Sequence, residues 1–306
     1  MAWRQAVLAG GAVVAVALPW MVPQYYVFLA SLAIVNAIVA LGLNLLSGYT
    51  NQLSFGHAGF LAVGAYTAAI LTLRLPGTPL PLTLLAAGVV TGLIGVALGL
   101  PCLRLHGLYL AMATLAFGFV VVELILTLDG LTQGSDGLQV PEGSLLWLDF
   151  SSDARRYYLV LATGVVMTLL ARNLVGSRTG RAFVAIRESE IAAQTSGVNL
   201  AWYKTVAFAV SAFYTGVAGG LFAFVVGFLS PDAFDIFLSV DFVAMIIIGG
   251  LGSIGGSLIG AGIVTVLQDW LAGFQQYRPL IFGAIMIGCM LFMPGGVASF
   301  ALRRQS

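Results

Sequence analysis

The chain has 306 residues, of which 60% are hydrophobic and only 8% charged, with a mean hydropathy of +1.02. Soluble domains carry about 25% charged residues, so the main solvent of this chain is lipid, and a net charge of +1 excludes a nucleic-acid-binding surface. A spanning helix needs about 20 apolar residues, so one transmembrane domain over 1–306 has room for about eight to ten spans.

The first apolar run, 5–22, follows Arg4. Ala15-Val16-Ala17 has the small-x-small form of a signal-peptide cleavage site, but the apolar run continues past it. We therefore read an uncleaved first span. Further runs cover 27–46, 53–73, 82–103, 108–128, 157–174, 205–227, 240–250, 257–271 and 279–298. None alternates with the period of two that marks a membrane barrel. Lipid obliges a spanning backbone to satisfy its own hydrogen bonds, so the runs read as helices. The 38 glycines suit a tight bundle, because helices in lipid associate by close approach of small residues. Cys102 and Cys289 each lie inside an apolar run and read as packed thiols.

Two segments interrupt the helical pattern. One is Ser47-Gly-Tyr-Thr-Asn-Gln-Leu-Ser-Phe-Gly-His-Ala-Gly59; the other is Gly249-Gly-Leu-Gly-Ser-Ile-Gly-Gly-Ser257. Each is a Gly/Ser-rich break followed by a helix of small residues, which suggests a weak internal repeat. Gly56, Gly249, Gly250 and Gly252 are the break glycines. Gly-interrupted apolar segments at corresponding places point to a transport path, although glycines also simply permit close helix crossings.

The loops set the orientation. Residues 129–156 hold Asp129, Asp136, Glu142, Asp149 and Asp153, with Arg155 and Arg156 only at the end, and read as an extracytoplasmic loop. Residues 172–204 are the most basic loop, with Arg172, Arg178, Arg181, Arg187 and Lys204, and read as cytoplasmic. Counting crossings outward puts Arg4 inside and Asp232 and Asp235 outside. Arg303 and Arg304 fall inside only if 240–250 and 257–271 cross separately. Ten spans with both termini cytoplasmic fit best; eight or nine is the alternative, because 240–250 is short.

The basic loop is amphipathic. Thr179 is placed to cap a short helix, and Ser189 a second one with Glu190 in its first turn. Gly197 is a natural C-terminal stop. A membrane-surface helix would leave Glu188 and Glu190 facing anionic lipid, so the mixed charge favours docking to a protein. The expected contacts are Ala185, Ile186, Glu188 and Ala192, with Arg181 and Arg187 at the rim.

Few residues could carry chemistry. Lys204 is the only lysine and follows no Gly-rich loop, so the chain lacks a phosphate-binding loop and any ATP-driven work needs another subunit. His57 and His106 lie on different segments and form no metal site. His57, inside the first break, reads as a partner for a freed backbone carbonyl. Asp241 and Asp269 lie at helix ends and make no membrane-protease pair. Glu123 is the acid inside a span, and such acids are functional candidates by default. Asn44, Asn51, Ser54 and Thr114 either line a path or tie helices together.

At these residues the chain resembles the LivM-type permeases of branched-chain amino acid ABC importers. The matching motifs are Gln52-Leu-Ser-Phe-Gly-His-Ala-Gly-Phe60 with Gly64-Ala-Tyr66; Gly107-Leu-Tyr-Leu-Ala-Met-Ala-Thr-Leu-Ala-Phe-Gly118; Gly180-Arg-Ala-Phe-Val-Ala-Ile-Arg-Glu188 with Ala192, Ala193 and Gly197-Val-Asn199; Phe228-Leu-Ser-Pro-Asp232; and Ile248-Gly-Gly-Leu-Gly-Ser-Ile-Gly-Gly256. The resemblance implies an all-α permease subunit in a bacterial inner membrane, pairing with a LivH-type permease. It also implies two cytoplasmic ATPases that bind the ATP, a periplasmic amino-acid-binding protein, and alternating access driven through 172–204. Related permeases for urea, short amides or other amino acids are the alternative, and a receptor or scaffold that moves nothing is a more remote one.

Overall fold

A computed structural model describes residues 15–103, 105, 107–140, 144–145, 148–149, 153–292 and 295–297. Arg4, Arg104, His106, Glu142, Arg303 and Arg304 lie outside them. The described residues are mostly helical. Residues 15–21 are helical and lead to Pro23. Then come α1 (Gln24–Leu43), α2 (His57–Arg74), α3 (Leu80–Cys102), α4 (Leu108–Thr127) and α5 (Asp153–Gly176). Two short polar helices follow, α6 (Arg178–Glu188) and α7 (Glu190–Thr195). The chain closes with α8 (Leu200–Val226), α9 (Ile236–Gly249), α10 (Ile254–Leu271) and α11 (Arg278–Phe292).

Six helices among the described residues are long and apolar enough to cross a membrane: α1 with its extension to Gly48, α3, α4, α5, α8, and α10 with its extension to Phe274. The protein is thus a polytopic membrane protein. Helix α8 is its axis, with 72% of its apolar window buried. It packs on α3, α2 and α1. Backbone meets backbone where α2 crosses α8, since a Cβ on Gly64 would stand 2.6 Å from Gly216 Cα. That approach is how helices gain contact in lipid, where burial of apolar surface contributes little.

Helix α4 lies at the edge. Leu108, Tyr109, Met112, Phe119, Val120 and Leu124 are all exposed on it. The 129–156 loop carries a short helix at Asp129–Thr132 and a two-residue strand, Leu138–Gln139, that pairs antiparallel with Phe228–Leu229. Two expected boundaries differ. The third span begins at His57 rather than residue 53, and α8 begins at Leu200 rather than residue 205, where Asn199 accepts a hydrogen bond from Trp202 N–H. Asp241 sits inside α9, 9% exposed, rather than at a helix end, because Asp235 caps α9 farther upstream. Cys102 and Cys289 are free thiols.

Candidate functional site at two helix breaks

The first break starts where α1 widens into a π-helical turn, Asn44–Gly48. Side chains there take over backbone partners. Thr50 Oγ1 donates to Leu46 O at 2.6 Å and Ser47 Oγ to Gln52 O at 2.9 Å. Asn51 turns the chain in the left-handed region, with φ 56°, which asparagine tolerates better than most residues. Residues 51–56 are non-helical, and Thr114 on α4 accepts the Phe55 N–H at 3.0 Å. Helix α2 then starts at His57. Its Nδ1 lies 3.2 Å from Ser54 Oγ and its Nε2 2.8 Å from Ser211 Oγ on α8. The histidine is held by two hydroxyls, not by the backbone carbonyl expected from sequence. A membrane break is tolerated only where neighbours supply such partners.

The second break joins α9 to α10. Gly250 and Gly252 have φ of 117° and 75°, a region favouring glycine. Ser253 caps α10 by accepting Gly256 N–H at 3.1 Å. The two breaks meet. Gly252 N–H donates to Asn44 Oδ1 at 2.8 Å, while Asn44 Nδ2 donates to Ser253 O at 3.0 Å and Ser257 Oγ at 2.6 Å. One amide side chain thus bonds three groups of the other break.

Of the path candidates, Asn44, Ser54, His57 and Thr114 are at most 1% exposed and hydrogen-bonded within the chain. They tie the breaks to α4, α8 and α10. Glu123 is apart from them, exposed on α4.

The polar helices sit beside the breaks. Ser177 caps α6, its Oγ accepting Gly180 N–H at 3.4 Å, so the cap lies two residues before the expected Thr179. The reason is that helical geometry already begins at Arg178. Ser189 caps α7, accepting Ala192 N–H at 3.3 Å, with Glu190 in the first turn. Gly197, with φ 84°, ends it: Val198 N–H reaches back to Ala193 O at 3.0 Å, a Schellman closure. Glu190 also bonds Lys204 on α8, Nζ to Oε1 2.7 Å. Cavities of about 510 and 450 Å³ flank this pair, and their walls include Leu103 at the end of α3 and Asn51 in the first break.

Burial sorts the expected contact residues. Gly180, Phe183, Ile186 and Ala193 face inward, which removes Ile186 from the outer surface. Arg181, Arg187, Glu188, Ala192 and Gly197 are exposed and Ala185 is half-buried. Sequence reasoning missed Ile191, 79% exposed on α7, and Val184, 39% exposed on α6. Their signal was periodicity: Ile191 lies about 200° around the helix from inward Ala193, at 3.6 residues per turn.

The family model described as the branched-chain amino acid transport system permease component matches residues 25–293. The LivM high-affinity branched-chain amino acid permease proteins of Salmonella typhimurium and Escherichia coli are 35% and 36% identical. Each alignment covers 93% of this chain and 72% of the relative. A probable LivH permease of Methanocaldococcus jannaschii is 30% identical over 85% of this chain and 87% of its own length. No solved structure is significantly similar. A polytopic helical chain with two conjoined breaks, matched by these sequences almost end to end, belongs to the permease components of the branched-chain amino acid transport systems.

Proposed function

We propose that this permease subunit forms half of the pore of a bacterial inner-membrane ABC importer for leucine, isoleucine and valine. The other half is a LivH-type permease. A periplasmic binding protein delivers the amino acid, and two cytoplasmic ATPases drive alternating access by docking on α6 and α7. The observation that carries this reading is the exposed, mixed surface of Val184, Glu188, Ile191 and Ala192 on two capped helices, in a permease-family chain without a phosphate loop.

The chain makes ten crossings in this reading, with both ends and residues 172–204 in the cytoplasm and 129–156 outside. In support, the α3–α4 turn, the first break and α7 border common cavities. Residues 138–139 and 228–229 pair where the 129–156 loop meets the far end of α8. Helix α9, 14 residues long, reaches about 21 Å at 1.5 Å per residue. The turn Pro231–Phe234 before it and the break after it extend its course. Glu123, exposed on α4, is the path candidate left accessible to a partner or solute.

The test is ATP-driven leucine uptake by vesicles holding all subunits, with the binding protein inside the assay. Uptake should be competed by isoleucine and valine and not by urea or acetamide; competition by the amides would overturn the substrate assignment. Glu188→Lys, Ala192→Trp and Ile191→Glu should each reduce ATPase recovery in pull-downs. Wild-type recovery and uptake by all three would sink the docking assignment.

A further inference from the structure

The docking surface and the breaks are joined by one side chain. The breaks first form a single piece. Besides the three Asn44 hydrogen bonds, their backbones touch, since a Cβ on Gly48 would stand 2.5 Å from Gly252 N. The two breaks are thus tied to each other. The Arg187 guanidinium fills the place that a side chain on Gly252 would occupy. Its Cζ lies 3.5 Å from that point and Gly48 O 3.3 Å from it. A single group on α6 therefore stands against Gly252 of the second break, which is itself bonded to Asn44 of the first.

The base of that side chain is firm. Phe183 and Ile186 anchor α6, at 0% and 2% exposure, and Ser177 and Ser189 bound it as N-cap and C-cap. Arg187 itself is exposed and makes no hydrogen bond to the described residues, so its contact with the breaks is steric and electrostatic. Such a contact passes a displacement on but holds little of the fold together. A planar, permanently charged guanidinium also suits a junction of backbone carbonyls.

We infer that Arg187 is the positioning residue through which α6 moves both helix breaks together. The inference rests on the ATPase-docking reading of α6 and α7, and the experiment separates the two. The assembled transporter is placed in nanodiscs with Leu251→Cys, a half-exposed site in the second break, in a Cys289→Ala background. Thiol labelling is timed without nucleotide and with ATP plus vanadate. Allosteric couplings of ordinary strength change an equilibrium at least about fivefold, and that change in labelling is expected with Arg187. Arg187→Ala, compared at equal ATPase content because Arg187 is also an expected rim contact, should abolish the nucleotide-dependent change. An equal labelling change in both proteins overturns the inference, as does no change in either. Complete loss of the ATPases on Arg187→Ala would make Arg187 part of the docking surface and also overturn it. Failure of the unsubstituted transporter to recover ATPases would instead refute the docking reading, and the inference with it.

Discussion

Glu190 and Lys204 form an ion pair whose two halves differ in burial, and that asymmetry predicts unequal mutants. The charges lie 2.7 Å apart, with side-chain exposure of 6% for Lys204 and 37% for Glu190. At an effective dielectric constant near 20 the gross attraction is about 6 kcal/mol, most of it offset by desolvating the ammonium. Glu190→Gln leaves that ammonium buried and unpaired. Breaking a fully buried pair costs about 3–5 kcal/mol; water entering through the half-open Glu190 side reduces this to about 2 kcal/mol. Losing a negative charge in the first turn of α7 adds about 0.5 kcal/mol. Lys204→Met leaves a carboxylate that can turn into water, at a cost of about 0–1 kcal/mol. With about 2–4 °C per kcal/mol, Glu190→Gln should melt about 5–10 °C lower and Lys204→Met within about 4 °C of wild type. The double mutant should recover most of the loss. A thiol-reactive dye reads the transition through Cys102, 4% exposed at the end of α3, in a Cys289→Ala background. A Lys204→Met loss as large as that of Glu190→Gln would refute the reasoning.

The breaks and α4 make further predictions. Asn44→Ala removes three hydrogen bonds, each worth about 0.6 kcal/mol inside a membrane, and orphans Gly252 N–H at about 1–3 kcal/mol. The same melting assay should show a loss of about 3–5 kcal/mol; an unchanged Asn44→Ala would mean the clamp is idle. Gly56→Val would put a Cβ 2.7 Å from the Thr114 carbonyl, and Gly250→Val would force a side chain onto φ 117°. Gly164→Val meets no backbone atom and no positive φ, only the Ile34 Cγ2 methyl at 2.6 Å. Membrane levels of the first two should therefore fall far below the third, and equal levels at all three sites would count against special breaks. Glu123→Gln should lower uptake while the subunits still co-purify; unchanged uptake would make Glu123 an interfacial residue.

Much of the site was legible because its causes are local. Gly and Ser punctuation marked both breaks, since a break needs φ values or side-chain acceptors that those residues supply. Ser189, Glu190 and Gly197 announced the limits of α7 for the same reason. Reading the first cap at Thr179 instead of Ser177 erred by two residues, because both hydroxyls precede the same helical pattern and only the backbone distinguishes them. The face of α6 was harder. Ile186 and Ile191 look alike as isolated isoleucines, and only packing against the bundle turned one inward and left the other exposed. Whether Asn44, Asn51, Ser54 and Thr114 line a path or tie helices was open in the sequence; the structure buries Asn44, Ser54 and Thr114 and hydrogen-bonds them within the chain. By itself the sequence determined a membrane bundle of helices, because lipid allows the backbone few other solutions, and it marked the two breaks and a charged segment between spans, although Arg172 falls inside α5 and Lys204 inside α8. Tertiary structure alone decided that Asn44 closes a break 208 residues away, that Lys204 pairs with Glu190, and that Arg187 lies on the joined breaks. Those partners are selected by how helices pack in three dimensions, and no local backbone preference encodes them.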